Sequence, residues 1–258
     1  MPPSTGYLRA VRLVRDRVRH DKVYPFSIPA IQTLDVLELD AKVTFLVGEN
    51  GSGKSTLIEA IAVLAGFNPE GGSKNFRFGT RRSESSLHQF MRPVRSHRRP
   101  KDGFFLRAES YFNVATEIER LDEEPGGGKI IDGFGGVSLH EQSHGESFLA
   151  LATHRFRGHG LYILDEPEAA LSPRRQLALL AIMNEHVEER SSQFVIATHS
   201  PILMAYPNAL IYRLGPTGIE RVAYEETEHY TITRDFLSSP ERFFKSLFAR
   251  SKDESIDE

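Results

Sequence analysis

The chain has 258 residues, of which 40% are apolar and 26% are charged, and its formal net charge is −3. This length allows one large domain or two small ones with a substantial core, and the composition is ordinary for a globular protein. The sequence contains no cysteine, which excludes a disulfide framework and a thiolate metal site. It also lacks the apolar run of roughly 20 residues that a membrane helix needs. With no apolar secretory signal at the N-terminus, we expect a cytoplasmic protein.

The first third of the sequence predicts three strands and a helix. "LRAVRLVRDRV" alternates apolar and basic residues, which indicates an edge strand with an arginine-bearing outer face. "LDVLELD" and the almost wholly apolar "KVTFLVG" indicate two further strands. "KSTLIEAIAVLAG" is typical of a helix, with Gly66 in the C-cap position.

Residues 67–101 are rich in glycine, serine and arginine, and we expect an irregular basic insertion there. From Arg77 to Lys101 the sequence has eight Lys or Arg and a single acid, Glu84. Two interpretations of this run remain open. It forms a contact for nucleic acid or another anionic partner, or it is a solvated face.

The remaining two thirds alternate short apolar strands with helices. "GFFLRAE" predicts a strand, and "SYFNVATEIERL" a helix with Ser110 as N-cap. "ESFLALATHRF" is helical, "GLYILDE" and "QFVIATHS" are buried strands, and a long amphipathic helix begins with Ser172 as cap and Pro173 at its first position. "ALIYRLG" and "GIERVAY" predict a hairpin, and "TRDFLSSPERFFKSLF" one closing helix. This alternation favours an α/β fold with a mostly parallel sheet flanked by helices.

A phosphate-binding loop is the most specific motif in the chain. "GENGSGKS" fits the pattern G-x-x-x-x-G-K-[ST], between a predicted buried strand and a predicted helix. Its glycines let backbone N–H groups converge on phosphate oxygens at a helix N-terminus. Lys54 is expected on the β- and γ-phosphates of ATP, Ser55 on Mg²⁺, and Thr56 near the α-phosphate. The predicted nucleotide-binding residues are Gly48, Glu49, Asn50, Gly51, Ser52, Gly53, Lys54, Ser55 and Thr56.

Two acids end the strand "GLYILDE". Asp165 and Glu166 would be costly to bury without a charge partner, and a Mg²⁺ ion shared with Ser55 supplies one. Asp165 is then a metal ligand, and Glu166 is the general base for the water that attacks the γ-phosphate. The alternative is a strand that ends in a solvated turn.

In this order the motifs resemble those of the ABC-type ATPases, a class that includes transporter motors and the heads of chromosome-maintenance and DNA-repair ATPases. The resemblance rests on the phosphate loop, "SHGES" at 143–147, "LYILDEP" ending at Pro167, "AALSP" at 169–173 and "ATHSP" at 197–201. It implies a P-loop NTPase fold with an antiparallel β-subdomain and a helical signature lobe. We expect one such domain over residues 1–250 and an acidic, disordered tail over 251–258.

The class resemblance also implies roles for further residues. His199 would sense the γ-phosphate and act with Lys54 and Glu166 in catalysis. Glu109 stands where the class has its switch glutamine and is a candidate to approach Mg²⁺, with Gln89 as a weaker rival. A second set would reach the nucleotide of a partner copy, namely Ser143, His144, Gly145 and Glu146. Leu171 and Ser172 occupy the D-loop-like position, and Tyr24 or Phe26 is either an adenine-stacking residue or a packing residue.

Departures from the transporter pattern narrow the resemblance. Transporter motors usually carry Leu-Ser-Gly-Gly-Gln, where this chain has Gln142 to Glu146, and "PTSALD", where it has "PEAALS". The substitutions resemble the soluble, non-transporter branch, including stand-alone ATPases related to DNA-repair and anti-phage defence heads. We therefore expect Mg²⁺-dependent ATP hydrolysis by a homodimer that closes head-to-tail on ATP and acts on DNA or an effector protein. The alternatives are the motor subunit of an ABC transporter and a kinase.

Overall fold

A computed structural model describes residues 6–73, 85–108 and 144–253 of the chain, with the isolated positions 116 and 120. It contains two β-sheets, a small one near the N-terminus and a large one that carries the site. Their strands, in chain order, are β1 (Leu8–Leu13), β2 (Val36–Glu38), β3 (Val43–Val47), β4 (Met91–Arg95), β5 (Asp102–Arg107), β6 (Gly160–Asp165), β7 (Gln193–Ala197), β8 (Leu210–Gly215) and β9 (Gly218–Val222).

The helices cover both faces of the larger sheet and end the chain. They are α1 (Pro29–Gln32), α2 (Lys54–Ala65), α3 (His144–Arg155), α4 (Pro173–Glu188), α5 (Pro201–Met204), α6 (Glu228–Ser238) and α7 (Pro240–Asp253). Short 3₁₀ turns lie at Arg15–Arg17, Ser86–Phe90, Pro167–Ala170 and Tyr224–Glu226. Among the described residues, no helix is both long and apolar enough to cross a bilayer.

The large sheet has the strand order β5-β6-β7-β3-β8-β9. Its first five strands run parallel, and β9 returns antiparallel to β8 as the predicted hairpin. Every residue of β3, β6 and β7 is buried, as is typical of parallel strands covered on both faces. The prediction of an α/β fold with a mostly parallel sheet is confirmed.

Alternate side chains of the large sheet point into two separate cores. One core joins Phe45, Tyr162 and Phe194 to the apolar faces of α3 and α4. The other joins Leu46, Ile163 and Val195 to α2 and to the small sheet. Helix α2 therefore lies between the two sheets, and its N-terminus is held at a fixed place beside β3.

The small sheet is antiparallel with the order β2-β1-β4, which corrects two predictions. β1 is its central strand rather than an edge strand, although its arginines, Arg9 and Arg12, are exposed as expected. Its second neighbour is β4, which lies within the stretch 67–101 that was predicted to be irregular. The sequence of β4 does not resemble a strand, because it contains Pro93 and two arginines. A proline is tolerated here because β4 is at the sheet edge. Residues 74–84 lie outside the described part of the chain.

Helix ends agree with the sequence at two places and differ at a third. Gly66 ends α2 with φ of 95°, and Pro173 begins α4 after Ser172. The prediction of a single closing helix is wrong, because α6 ends at Ser238 and α7 begins at Pro240. Proline has no N–H to continue the ladder and crowds the preceding turn, so the helix is interrupted there. α7 runs to Asp253, so its last residues lie inside the segment expected to be the tail, and 254–258 are outside the described part.

A buried glutamine joins the two sheets. Nε2 of Gln193, the first residue of β7, donates to the carbonyl oxygens of Leu8 (2.7 Å) and Asp40 (2.7 Å). Its Oε1 accepts from the backbone N–H groups of Tyr7 (2.9 Å) and Leu8 (3.0 Å). One amide thus satisfies four backbone groups at the start of β1 and before β3.

Replacement of Gln193 by leucine keeps the side-chain volume and removes all four hydrogen bonds. Because unsatisfied buried groups cost more than the bonds themselves contribute, we expect a loss of about 3 kcal/mol or more in the free energy of unfolding. Urea denaturation followed by circular dichroism measures this loss. Gln89→Leu, at an exposed position, is the matched control and should change stability by less than about 0.5 kcal/mol. Equal effects of the two substitutions would contradict the role given to Gln193.

Candidate functional site

The predicted site residues follow the carboxyl ends of three adjacent strands. The phosphate loop follows β3, Asp165 is the last residue of β6, and His199 lies just beyond β7. These strands are neighbours in the order β6-β7-β3 and run parallel, so their carboxyl ends meet at one edge of the sheet. This edge is where ligands bind in open α/β sheets.

The phosphate loop has a backbone that requires glycine. Gly48, Gly51 and Gly53 have φ of 147°, 81° and 99°, which side-chain-bearing residues rarely adopt. A Cβ at Gly48 would also lie 2.3 Å from the carbonyl oxygen of Leu214 in β8. The loop is therefore held directly against the neighbouring strand, and it leads into α2 at Lys54.

Lys54 folds back over the loop. Its Nζ donates to the carbonyl oxygens of Gly48 (2.8 Å) and Glu49 (3.0 Å), and the residue is only 4% exposed. Burial lowers the pKa of Lys54, and the carboxylates of Glu166 and Asp165 oppose that shift. A poorly hydrated ammonium held by neutral carbonyls is suited to binding an anion such as a phosphate.

Ser55 and Asp165 form an oxygen pair suited to Mg²⁺. Oδ1 of Asp165 lies 3.4 Å from the Ser55 hydroxyl, and the carboxylate is buried. Its other oxygen, Oδ2, lies 3.5 Å from Nε of Arg107 at the end of β5. A hydroxyl beside a carboxylate fits the preference of Mg²⁺ for oxygen ligands. Arg107, which also donates to Glu59 (2.9 Å), was not singled out from the sequence.

Glu166 has an uncommon backbone conformation. Its φ of 52° and ψ of 50° lie in the left-handed region, and its N–H donates to the carbonyl of Ala197 at 2.9 Å. This conformation costs a non-glycine residue about 1 kcal/mol, so the surrounding structure must enforce it. It turns the side chain toward His199, whose Nε2 lies 3.6 Å from Oε1.

A cleft of about 280 Å³ opens beside these groups, and its lining includes Lys54, Ser55, Thr56 and Glu166. A larger cavity of about 520 Å³ lies against residues 48–52 of the loop and the β8–β9 hairpin. The larger cavity does not have Lys54, Ser55 or Glu166 in its lining. Lys54, Ser55 and Glu166 therefore face the smaller cleft.

Glu168, which the sequence interpretation overlooked, holds the segment after β7. Its carboxylate accepts from the backbone N–H of His199 (2.5 Å) and from the hydroxyl of Thr198 (2.7 Å). Burial raises the pKa of Glu168, and these hydrogen bonds oppose the shift. The sequence signal for Glu168 was its place as the third acid, after Asp165 and Glu166, at the end of a buried strand.

His199 contacts a second histidine that was also missed, His229 of α6. Nδ1 of His199 lies 2.9 Å from Nε2 of His229, and the rings meet edge to face. Burial, together with the positive charge of Lys54, lowers the pKa of His199. Both effects favour a neutral imidazole at neutral pH.

The described signature residues lie against Ala170 and Arg175, which flank the D-loop-like residues Leu171 and Ser172. A Cβ at Gly145 would lie 2.8 Å from the carbonyl oxygen of Ala170, and Glu146 forms a 3.0 Å ion pair with Arg175. Leu171 is buried, and Ser172 caps α4 without a side-chain hydrogen bond. Neither Gly145 nor Glu146 lines the two cavities at the loop. Ser143 and the His144 side chain lie outside the described residues.

The aromatic candidates separate clearly. Phe26 is buried and packs edge to face on Phe90 at 4.9 Å, so it is a packing residue. Tyr24 is 60% exposed at the cleft, with its hydroxyl 3.2 Å from that of Thr56. Glu109 lies outside the described residues, and its rival Gln89 is exposed in the turn Ser86–Phe90.

Two protein families and several known proteins match this sequence. Residues 93–205 match the family described as "AAA domain, putative AbiEii toxin, Type IV TA system", and residues 27–132 match a family described as "AAA domain". The DNA repair protein RecN of Xylella fastidiosa is 28% identical over 75% of this chain, which spans only 31% of that relative. The tungstate uptake ATP-binding protein TupC of Campylobacter jejuni is 23% identical, over 84% of this chain and 72% of its own length.

The chain is similar to P-loop ATPases of the AAA and ABC type. The predicted resemblance is thereby confirmed at the level of the class. Among solved structures, the cbiO1 subunit of a Clostridium perfringens ABC transporter complex is 16% identical, with a TM-score of 0.48 over 91% of this chain and 96% of its own.

Glu168→Ala removes the shared acceptor of Thr198 and His199. Because two partly buried donors then lose their partner, we expect the free energy of unfolding to fall by about 2 kcal/mol. Thermal and urea unfolding measure the change. Glu225→Ala, an exposed acid, is the control and should be nearly silent. An unchanged stability in Glu168→Ala would show that the two hydrogen bonds are unimportant.

Proposed function

We propose that this ATPase domain binds ATP with Mg²⁺ and hydrolyses it, and that two copies close head-to-tail on the nucleotide. The observation that carries the proposal is the convergence of Lys54, Ser55, Asp165, Glu166 and His199 at one sheet edge. They approach from three separate motifs, and phosphoryl transfer needs little beyond such positioning and charge stabilisation.

Each group takes a distinct part in the proposed reaction. Lys54 leaves its two carbonyl partners to bind the β- and γ-phosphates, and Ser55 with Asp165 would hold Mg²⁺. The metal, when bound, neutralises charge on the phosphates. Glu166 orients the attacking water and accepts its proton as the bond to the γ-phosphorus forms and the bond to the ADP oxygen breaks. His199 contacts the γ-phosphate, and Tyr24 stacks on adenine from the exposed edge of the cleft.

The position of the signature residues supports the proposed dimer. Gly145 and Glu146 begin α3 but do not line the cleft of their own subunit. The N-terminus of a helix favours anions, so we propose that the segment Ser143, His144, Gly145 and Glu146 binds a phosphate held by another copy. Leu171 and Ser172 lie between Ala170 and Arg175, which Gly145 approaches, and they would lie at the same interface.

Trapping the ATP-bound state tests this proposal. Glu166→Gln lacks the base but keeps the site, so with ATP and Mg²⁺ it should change from monomer to dimer mass in light scattering after size exclusion. We expect hydrolysis to fall by at least about a hundredfold. EDTA or Lys54→Ala should prevent both dimer and hydrolysis, and Glu225→Gln serves as the matched control. A Glu166→Gln protein that stays monomeric at saturating ATP and Mg²⁺ refutes the dimer.

The exposed face of the small sheet favours nucleic acid as the partner on which this switch acts. Arg12 and Arg92 are directly opposite each other in β1 and β4, and both are exposed. Like charges in this arrangement repel, and an anionic ligand would relieve the repulsion. This observation supports the nucleic-acid interpretation of the basic segment over a simple solvated face.

Charge removal tests that contact. Arg12→Gln with Arg92→Gln should weaken binding to duplex DNA and reduce the salt slope of affinity by about two, because two phosphate contacts are lost. Arg221→Gln with Arg242→Gln removes the same charge from exposed positions elsewhere and is the control. Fluorescence anisotropy over a salt series measures both pairs. Equal losses in the two double variants would assign the effect to net charge alone.

A transporter motor is the second candidate, favoured by the similarity to TupC. It predicts co-purification with a membrane subunit and no stimulation of hydrolysis by DNA. The nucleic-acid proposal predicts the opposite result in each experiment.

A further inference from the structure

Two independent contacts fix the position of His199. Glu168 accepts from its backbone N–H, and the ring is held at Nδ1 by His229. The hydrogen bond to Glu168 therefore fixes the main chain of His199, but it does not fix the rotation of the ring. The contact of Nδ1 with His229 fixes that rotation.

His229 is itself held in place from two sides. It lies in the first turn of α6, whose N-cap Thr227 is fully buried and accepts from the N–H of Tyr230 at 3.4 Å. The preceding turn is tied to the segment after β7, because the hydroxyl of Tyr224 donates to the carbonyl of Pro201 at 2.9 Å. Helix α6 thus has a fixed register against His199.

The hydrogen bond between the two rings contains one proton, which is carried either by Nδ1 of His199 or by Nε2 of His229. If Nδ1 of His199 carries it, neutral His199 has a bare lone pair at Nε2, facing the Glu166 carboxylate at 3.6 Å. If Nε2 of His229 carries it, His199 is protonated at Nε2 and points an N–H toward that carboxylate. The first arrangement sets a lone pair against an anion, and the second sets a donor toward it, so electrostatics selects the second.

Resting on the proposed function, we propose that His229 is a positioning residue for His199. It donates its Nε2–H to Nδ1 of His199 and so fixes the tautomer in which Nε2 of His199 carries hydrogen. Among the described residues, Nε2 of His199 is buried and has no hydrogen-bond partner, and we expect its hydrogen to bind the terminal phosphate. A histidine with the wrong tautomer would present a lone pair to an anion and could not perform this task.

The tautomer can be observed directly in the full chain without nucleotide. With ¹⁵N-labelled histidine, long-range ¹H–¹⁵N correlation should show a bare Nδ1 and a protonated Nε2 for His199, assigned with His199→Gln. His229→Phe keeps a ring and removes the donor, so that only Glu166 still favours the Nε2–H tautomer of His199, and we expect the fraction of that tautomer to fall. His229→Gln restores an amide donor near the same position and should restore the spectrum. A protonated Nδ1 at His199 in the unsubstituted protein overturns the proposal.

Kinetics provide the second readout. His229→Phe should lower kcat roughly tenfold or more with little change in KM for ATP, since wrong tautomers are costly in other histidine sites. His229→Gln should recover to within about threefold, and His229→Phe should add nothing in a His199→Gln background. His20→Phe, at an exposed position, is the control. Equal loss in the Phe and Gln variants, or an unchanged kcat in His229→Phe, overturns the proposal.

Failure of the proposed function gives a different pattern. If the unsubstituted protein does not hydrolyse ATP, the hydrolysis proposal fails, while the tautomer of His199 and its dependence on residue 229 are still read from the spectra. The two hypotheses are therefore judged separately.

Discussion

Three carboxylates lie at the end of a strand that is buried along its whole length, and the site is organised around their charge. Asp165, Glu166 and Glu168 lie within four residues, where an unpaired carboxylate costs several kcal/mol. Each finds a different partner. Asp165 contacts Ser55 and Arg107, while Glu166 approaches the His199 ring. Glu168 accepts from the loop after β7.

Because these partners belong to different strands, the same charges that stabilise the turn also connect it to its neighbours. Arg107 ends β5, Ser55 lies in the first turn of the helix after β3, and Thr198 follows β7. The three surrounding segments are thereby fixed relative to β6. The contacts that compensate the buried negative charge also place the side chains where phosphate chemistry needs them. The same network tolerates the left-handed backbone conformation of Glu166.

Sequence reasoning succeeds here where the signal is local. The phosphate loop, the acid pair after β6 and the strand–helix alternation are all visible within a few residues of sequence, and the structure places them as expected. β4 was missed because Pro93 and its arginines conceal a five-residue edge strand, and β1 was then mistaken for an edge. His229 and Gln193 act across 30 and about 185 residues, where no periodicity records a partner. Pro240, in contrast, was a local helix-breaking signal in plain view.

The close approach of Gly48 to Leu214 bears on how much chain the nucleotide loop requires. The last shared motif ends at Pro201, yet the strand that supports the loop from behind begins only at Leu210. A fragment that ends at Pro201 would keep every shared motif, but it would lose β8, the strand against which the phosphate loop packs. Removal of β8 would also expose one side of β3. The smallest unit that can fold on its own must therefore include β8, which lies beyond the last of the shared motifs.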